Sequence, residues 1–167
     1  KLYEASAAGV KIHLIVRGIC VLRPGLPGIS DNIEVHSIVG RFLEHSRLFY
    51  FYNGGSEDVF ISSADWMPRN LNERVELMTP VEFAPHKEQI KHILKLYFDD
   101  NVKAYAMNQD GSYRYLADER TGKAVNAQDT CQREAEKLPA HRKREVRKLR
   151  NIVLRPRPTD PTEQGDN

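Results

Sequence analysis

His45 and Arg47 lie two residues apart in the run RFLEHSR (residues 41–47), directly ahead of an apolar stretch, and an SSAD turn follows at residues 62–65. In an extended segment side chains repeat with a period of two, so an imidazole and a guanidinium spaced in this way project to the same side. The imidazole can move a proton, and the guanidinium can hold an anionic oxygen. Read together, the two segments look like half of a phosphoryl-transfer site. A histidine ahead of a strand is by itself more often a structural or surface group. Here the segments that follow shift the balance towards chemistry.

Such groups need strand ends to stand on, and the pattern of the chain supplies them. Residues 11–17 (KIHLIVR) alternate and are rich in β-branched side chains, which predicts a strand closed by Gly18 and carrying Arg17 at its end. The stretch 23–32, with PGLPG and then Ser30-Asp31-Asn32, predicts a loop leading to a helix cap, and Ser37 is expected to cap a short helix through Glu44. Residues 48–52 and 59–62 read as a hairpin about Asn53-Gly54-Gly55. A strand is expected over 74–81. Pro85 opens a helix to Phe98 with Ile90, Ile93, Leu94 and Tyr97 on one face. Short strands follow near 102–107 and 113–116, then a helix from about 127 to 149 interrupted near Pro139. Strands alternating with helices imply an α/β fold, a central mixed sheet flanked by helices. One domain is expected over residues 1–155 and a disordered tail over 156–167.

Composition sets the bounds. The chain has 167 residues, 40% of them hydrophobic, enough for the core of one domain. It opens at KLYEASAAGV, without Met, which reads as the end of an amphipathic helix continuing from upstream sequence. No apolar run is long enough to span a bilayer and no signal sequence is visible, so the expected location is cytoplasmic, with peripheral membrane association left open. Cys20 and Cys131 are far apart and lack metal-ligand spacing, and reduced thiols are the better reading. Net charge is only +2, so the basic residues act by position rather than in sum.

Residues 62–76 (SSADWMPRNLNERVE) resemble the second half of the phospholipase D superfamily motif, in which His-x-Lys precedes a Gly-Ser-x-Asn turn and a later glutamate. On that resemblance Ser63 and Asp65 occupy the serine and asparagine places and Glu76 that of the glutamate. The departures are Arg47 in place of lysine and an acid, Asp65, in place of the amide. An anionic Asp65 would repel phosphate unless it is paired, which argues against phosphodiester hydrolysis. The runs at residues 10–33, 37–55 and 60–70 resemble the C-terminal catalytic domain of polyphosphate kinase, the ATP-dependent, phosphohistidine-forming type, a phospholipase D-like domain. The likeness is strong to about Tyr115 and fades beyond it.

The resemblance implies roles. Arg17 and His45 match family positions that contact nucleotide phosphates, and Arg74 looks like a further tunnel-lining arginine. Arg47 is expected to line the path or to pair with Asp65 or Glu76, neutralising the acid. The nucleophilic histidine of the family lies in a preceding domain, so the resemblance gives His45 the second role, contact with phosphate, and leaves open whether it also protonates a leaving oxygen. The implied partners are ATP or ADP, inorganic polyphosphate and the rest of the polyphosphate kinase chain, with a homo-oligomeric whole enzyme. No GxxxxGK loop is present, so ATP binding must rest on arginines. With no cluster of aspartates or histidines, Mg²⁺ is expected to arrive on nucleotide and polyphosphate rather than in a protein cage.

Other histidines read as bland. His13 alternates with core residues and faces away from them, while His36, His86, His92 and His141 are expected on loop or helix surfaces. A rival function comes from residues 141–157 (HRKREVRKLRNIVLRPR), a block that could bind nucleic acid by counterion release without sequence preference. It contains no Tyr or Phe, so bases have no stacking platform, and specific nucleic-acid binding is not expected.

Overall fold

The structure, a computed structural model, describes residues 1–137. By its contacts the chain divides into Lys1–Gln132 and Arg133–Asn167, and the architecture below belongs to the first unit. In chain order the elements are α1 (Leu2–Ala7), β1 (Ile12–Ile15), β2 (Ile33–Ile38), β3 (Leu48–Phe51), β4 (Asp58–Ser62), α2 (Pro68–Asn72), β5 (Met78–Pro80), α3 (Ala84–Asp99), β6 (Ala104–Met107), β7 (Tyr113–Tyr115) and α4 (Ala127–Glu136).

The α/β expectation holds, and the strands form two sheets. The larger is mixed, in the order β1-β2-β6-β7, and the smaller has the order β3-β4-β5. In the larger, β1 runs parallel to β2 with Ile12 opposite Ile33 and Leu14 opposite Val35, while β2–β6 and β6–β7 are antiparallel. Both of its faces are covered, as alternation along β2 requires. Ile33, Val35 and Met107 bury on one face against Leu2 of α1, Ile12, Leu14 and Leu22. Ile38 and Ala104 bury with Ala127 on the other, against Leu96 and Tyr97 of α3.

The parallel β1–β2 connection is a loop folded about Ser30, which is fully buried. Its hydroxyl donates to the carbonyl of Arg23 at 2.7 Å and accepts the N–H of Leu26 at 2.9 Å. Gly25 and Gly28 take left-handed φ of 70° and 73°, which only glycine adopts without cost. The loop therefore leads into a strand rather than a helix cap.

The helix expected from Ser37 through Glu44 does not form. Ser37 is the fifth residue of β2, and residues 39–47 have no regular structure. The alternation of Ile33 and Val35, 2% and 1% exposed, decides for strand, because β1 and β6 offer ladder partners on both sides. Likewise the strand expected over 74–81 shrinks to β5, and Arg74 sits in a bend after α2. Upstream of β5 the side chain of Glu76 is engaged by Ser63 and Asn70, which holds that segment off a regular ladder.

The smaller sheet is antiparallel, with the β3–β4 turn at Asn53-Gly54-Gly55 as the dipeptide chemistry predicts. Glu57 ends that turn at φ 54° and is tied down by Tyr50 (3.0 Å) and by Lys91 of α3 (2.7 Å). Thus α3 touches both sheets: Leu96 and Tyr97 pack on the larger, and Lys91 clamps the smaller. Its half-buried Ile90, Ile93, Leu94 and Tyr97 form the expected inward face. No helix among the described residues is long and apolar enough to cross a membrane. Cys20 and Cys131 are not joined by a disulfide. The end of the expected final helix, the basic block 141–157 and the tail 156–167 lie outside the described residues.

Candidate functional site

Three strand ends converge. The ladder of β1 continues one residue past Ile15, Val16 N–H donating to the carbonyl of His36 at 2.8 Å, and Arg17 comes next. Arg47 enters β3 with its carbonyl bonded to Ser62 N–H at 2.9 Å, which sets it beside the end of β4. The chain then turns: Ala64 N–H donates to the hydroxyl of Ser62 at 3.1 Å, Met67 N–H to the carbonyl of Asp65 at 2.8 Å, and α2 begins at Pro68, a residue suited to the first helical turn.

At this convergence Arg47 meets Asp65 in a forked pair, Nε donating to Oδ1 at 3.0 Å and Nη2 to Oδ2 at 3.1 Å. Its third nitrogen, Nη1, donates to the carbonyl of His45 at 2.9 Å. Arg17 reaches the same carboxylate more loosely, Nη2 to Oδ2 at 3.7 Å, and its Nη1 donates to the carbonyl of Glu44. The hydrogen bonds and charge of Arg47, then the charges of Arg17 and His45, hold the Asp65 carboxyl below its ordinary range. The Asp65 hydrogen bonds in turn hold the Arg47 guanidinium above its own. The structure therefore brings Arg17, His45, Arg47 and Asp65 together. Of the two partners open to Arg47 in the sequence, Asp65 takes the hydrogen bonds.

A second group lies alongside. The Ser63 hydroxyl donates to Glu76 and accepts the N–H of Leu77 at 3.0 Å, and Asn70 of α2 donates to Glu76 at 2.8 Å. These bonds, Ser63 first, lower the Glu76 carboxyl, and the charges of Arg74 and Arg47 add to the effect. Arg74 is exposed, and its charge is felt at Glu76. Arg47 is the link between the two groups, since its charge is felt at both acids.

His45 itself is exposed, at the end of an irregular segment. Its backbone carbonyl is held by Arg47 and its charge is felt at Asp65, so an exposed imidazole stands in a region where the local acid is already neutralised, an arrangement chemically able to meet a polyanion and exchange a proton with it. Among the described residues no group of three or more His, Cys, Asp and Glu could hold a metal ion. Both Asp65 oxygens are occupied by Arg47, and those of Glu76 by Ser63 and Asn70, so neither acid is poised as a ligand.

Four side chains that shape this region escape a reading of the sequence. Asn70, 5% exposed, lies within the SSADWMPRN run, where neither its type nor its spacing marks it. Glu44 adjoins His45 and is bonded by Tyr97 and Gln128 through its carboxylate. Burial, then the Glu44 bond, pushes the Tyr97 hydroxyl up. No local signal marks Gln128 of α4, and helical spacing marks Tyr97 of α3 only as part of an inward face. His36 also departs from expectation: it lies in β2, half-buried against Phe98 at 5.5 Å between ring centroids, and burial lowers its pKa. His13 pairs with Glu34 at 3.4 Å on the same sheet face and meets the same Phe98 ring edge-on at 5.3 Å.

Comparison with known proteins gives a consistent picture. Residues 1–128 match the family described as polyphosphate kinase C-terminal domain 2. The chain is 54% identical over 128 residues to a polyphosphate kinase of an Exiguobacterium species, covering 77% of this chain and 18% of that protein. It is 52% identical over 139 residues to the polyphosphate kinase of Pseudomonas aeruginosa, covering 83% and 20%. The crystal structure of polyphosphate kinase from Porphyromonas gingivalis superposes with a TM-score of 0.75 at 46% identity, over 81% of this chain and 20% of that one. The chain thus spans about a fifth of the length of the relatives it matches.

Proposed function

The chain belongs to the polyphosphate kinase family, as its C-terminal domain 2, and on that footing we propose that it forms one wall of the site where the whole enzyme reversibly transfers the γ-phosphoryl group of ATP to inorganic polyphosphate. The observation that carries this reading is the grouping of Arg17 and His45 about an Asp65 already neutralised by Arg47. A polyphosphate bears negative charge at every phosphate, and fixed, always-charged guanidiniums answer it without a reorganisation cost.

In this reading a histidine of a preceding domain attacks the γ-phosphorus. The N–P bond forms as the bond from phosphorus to the leaving oxygen of ADP breaks, and the phosphohistidine then passes its phosphoryl group to the terminal oxygen of the chain. Arg17 binds the transferring phosphates, with Arg74 further along the path. His45 contacts the phosphates and protonates a leaving oxygen. Arg47, Ser63, Asp65 and Glu76 support them by fixing the turn after β4. Mg²⁺ supplies charge neutralisation on the nucleotide when bound, and it is proposed to come with ATP and polyphosphate because the acids of this wall are engaged by protein donors. A cytoplasmic, homo-oligomeric whole enzyme accompanies the proposal.

The test has two arms. In the intact enzyme, Arg17→Ala and His45→Ala should each depress polyphosphate synthesis while the melting profile stays close to that of the parent. The isolated chain, incubated with γ-labelled ATP and Mg²⁺, should form neither acid-labile protein label nor long polymer, because positioning of a nucleophile supplies much of the rate. Stoichiometric label on His45 with polymer growth would make His45 the nucleophile and sink the division of labour.

A further inference from the structure

Segment 39–47 carries His45 yet has no regular structure of its own, so the placement of the ring must come from elsewhere. A side chain 86 residues away supplies it. Phe42 N–H donates to Gln128 Oε1 at 3.0 Å, and Gln128 Nε2 donates back to the carbonyl of Phe42 at 2.7 Å, a carboxamide standing in for one rung of a β-ladder. The same Nε2 donates to Glu44 Oε1 at 2.5 Å, and Glu44 Oε2 accepts the hydroxyl of Tyr97 at 2.7 Å. The carbonyl of Glu44 then accepts Nη1 of Arg17. Gln128 is 7% exposed, and a Cβ at Gly40 would overlap its Oε1, so the segment is moulded closely on this one amide.

Behind Gln128 the support is equally built. Asp100, 1% exposed, accepts the N–H groups of Val102 at 2.9 Å and Lys103 at 2.7 Å, and that of Ala127 at 2.8 Å, so the start of α4 is locked to the start of β6. The amide is thus presented from a rigid element rather than from a loop end.

We propose that Gln128, acting through Glu44, is a positioning residue for phosphoryl transfer: it sets segment 39–47 so that Arg17 and His45 address the same anion. The inference rests on the site reading given above. A purely structural brace would cost stability alone, whereas a positioning amide should show a donor-specific effect on turnover.

The experiment uses the intact polyphosphate kinase. In Gln128→Glu the donor facing Phe42 and Glu44 becomes an acceptor, Glu44 is repelled, and kcat should fall about ten-fold to a hundred-fold, the scale of a small misplacement of reacting groups. Adding Glu44→Gln returns a donor to that contact, keeps an acceptor for Tyr97, and should recover most of the lost turnover. Full turnover in Gln128→Glu, or a folded double variant as slow as the single, overturns the proposal. If Gln128→Glu does not fold, Gly40→Ala makes the same displacement by steric pressure on Oε1, and full turnover there overturns it equally. Arg17→Ala and His45→Ala run alongside: full turnover in those two would defeat the site reading itself, while their loss beside an unaffected Gln128→Glu defeats the positioning role only.

Discussion

Arg47 grips Asp65 at two points, Nε to Oδ1 at 3.0 Å and Nη2 to Oδ2 at 3.1 Å, so the cation nearest to His45 in the sequence is committed to an internal partner. The pair answers the difficulty raised by an acid in the amide place of the motif: the carboxylate is held charged and neutralised rather than offered to phosphate. Arg17, whose contact with the same carboxylate is a 3.7 Å ion pair, is the more available guanidinium.

Removing the acid should therefore strengthen anion binding. In Asp65→Asn the local charge rises by one and both arginines lose an internal competitor, so titration of tripolyphosphate at low salt should show a lower Kd, with the gain fading as ionic strength screens it. A weaker Kd would mean that the forked pair is needed to hold Arg17 and His45 in place, and that organisation outweighs charge.

Arg17→Lys keeps the charge and loses the fork. A lysine's point charge cannot hold the Glu44 carbonyl and an anion together as a forked guanidinium can, so the expected loss is about 1–3 kcal/mol of tripolyphosphate affinity by calorimetry, the scale of a charge-assisted hydrogen bond. Unchanged affinity in Arg17→Ala would remove the residue from the site.

His45→Ala should impair synthesis in the intact enzyme without a loss of fold. The side chain is exposed, and the bond to Arg47 is made by the backbone carbonyl, which alanine retains. Circular dichroism and melting report the fold and turnover reports the chemistry. His45→Gln separates the two roles, keeping a polar contact while abolishing titration: recovery towards parental turnover would mark contact as sufficient, and continued loss would mark proton transfer.

Acid should unfold this domain through its paired carboxylates. Asp65 and Glu76 titrate below their ordinary values of 3.8 and 4.5 in the folded chain, so the unfolded chain binds more protons in the intervening range. Their contribution is present in full above the unfolded values and is lost as pH falls through the lower, folded ones. Melting temperature followed downward from neutral pH should fall in that acid window, and less steeply in Asp65→Asn and Glu76→Gln. An acid limb equally steep in both variants would place the effect elsewhere.

Ser63→Ala should destabilise only slightly, by at most about 1 kcal/mol, since it removes a donor from Glu76 and an acceptor from Leu77 N–H in an exposed setting. Denaturant melts of the parent and variant measure it directly, and a neutral result would show that solvent replaces both bonds.

Much of the framework was legible from near neighbours. Alternation marked β1, Asn53-Gly54-Gly55 marked the hairpin, and Pro85 with its apolar stripe marked α3, because strand and helix periods and turn chemistry act within a few residues. The candidate site residues were marked mainly by the family resemblance rather than by local pattern, and the structure sets Arg17, His45 with Arg47, and Ser63 with Asp65 at or near strand ends. Tertiary structure alone decided the rest. The stretch from Ser37 through Glu44 read as a helix, but Ile33 and Val35 found ladder partners in β1 and β6, which carried the strand through Ser37 to Ile38, and Phe42 found its backbone partner in Gln128. Which acid Arg47 would take was open between Asp65 and Glu76, since sheet register and the turn into α2 fix the distances. Hydrogen bonds of this kind join groups 18 and 86 residues apart, and no local preference encodes them; they exist only once the packed core has brought the strand ends and α4 together.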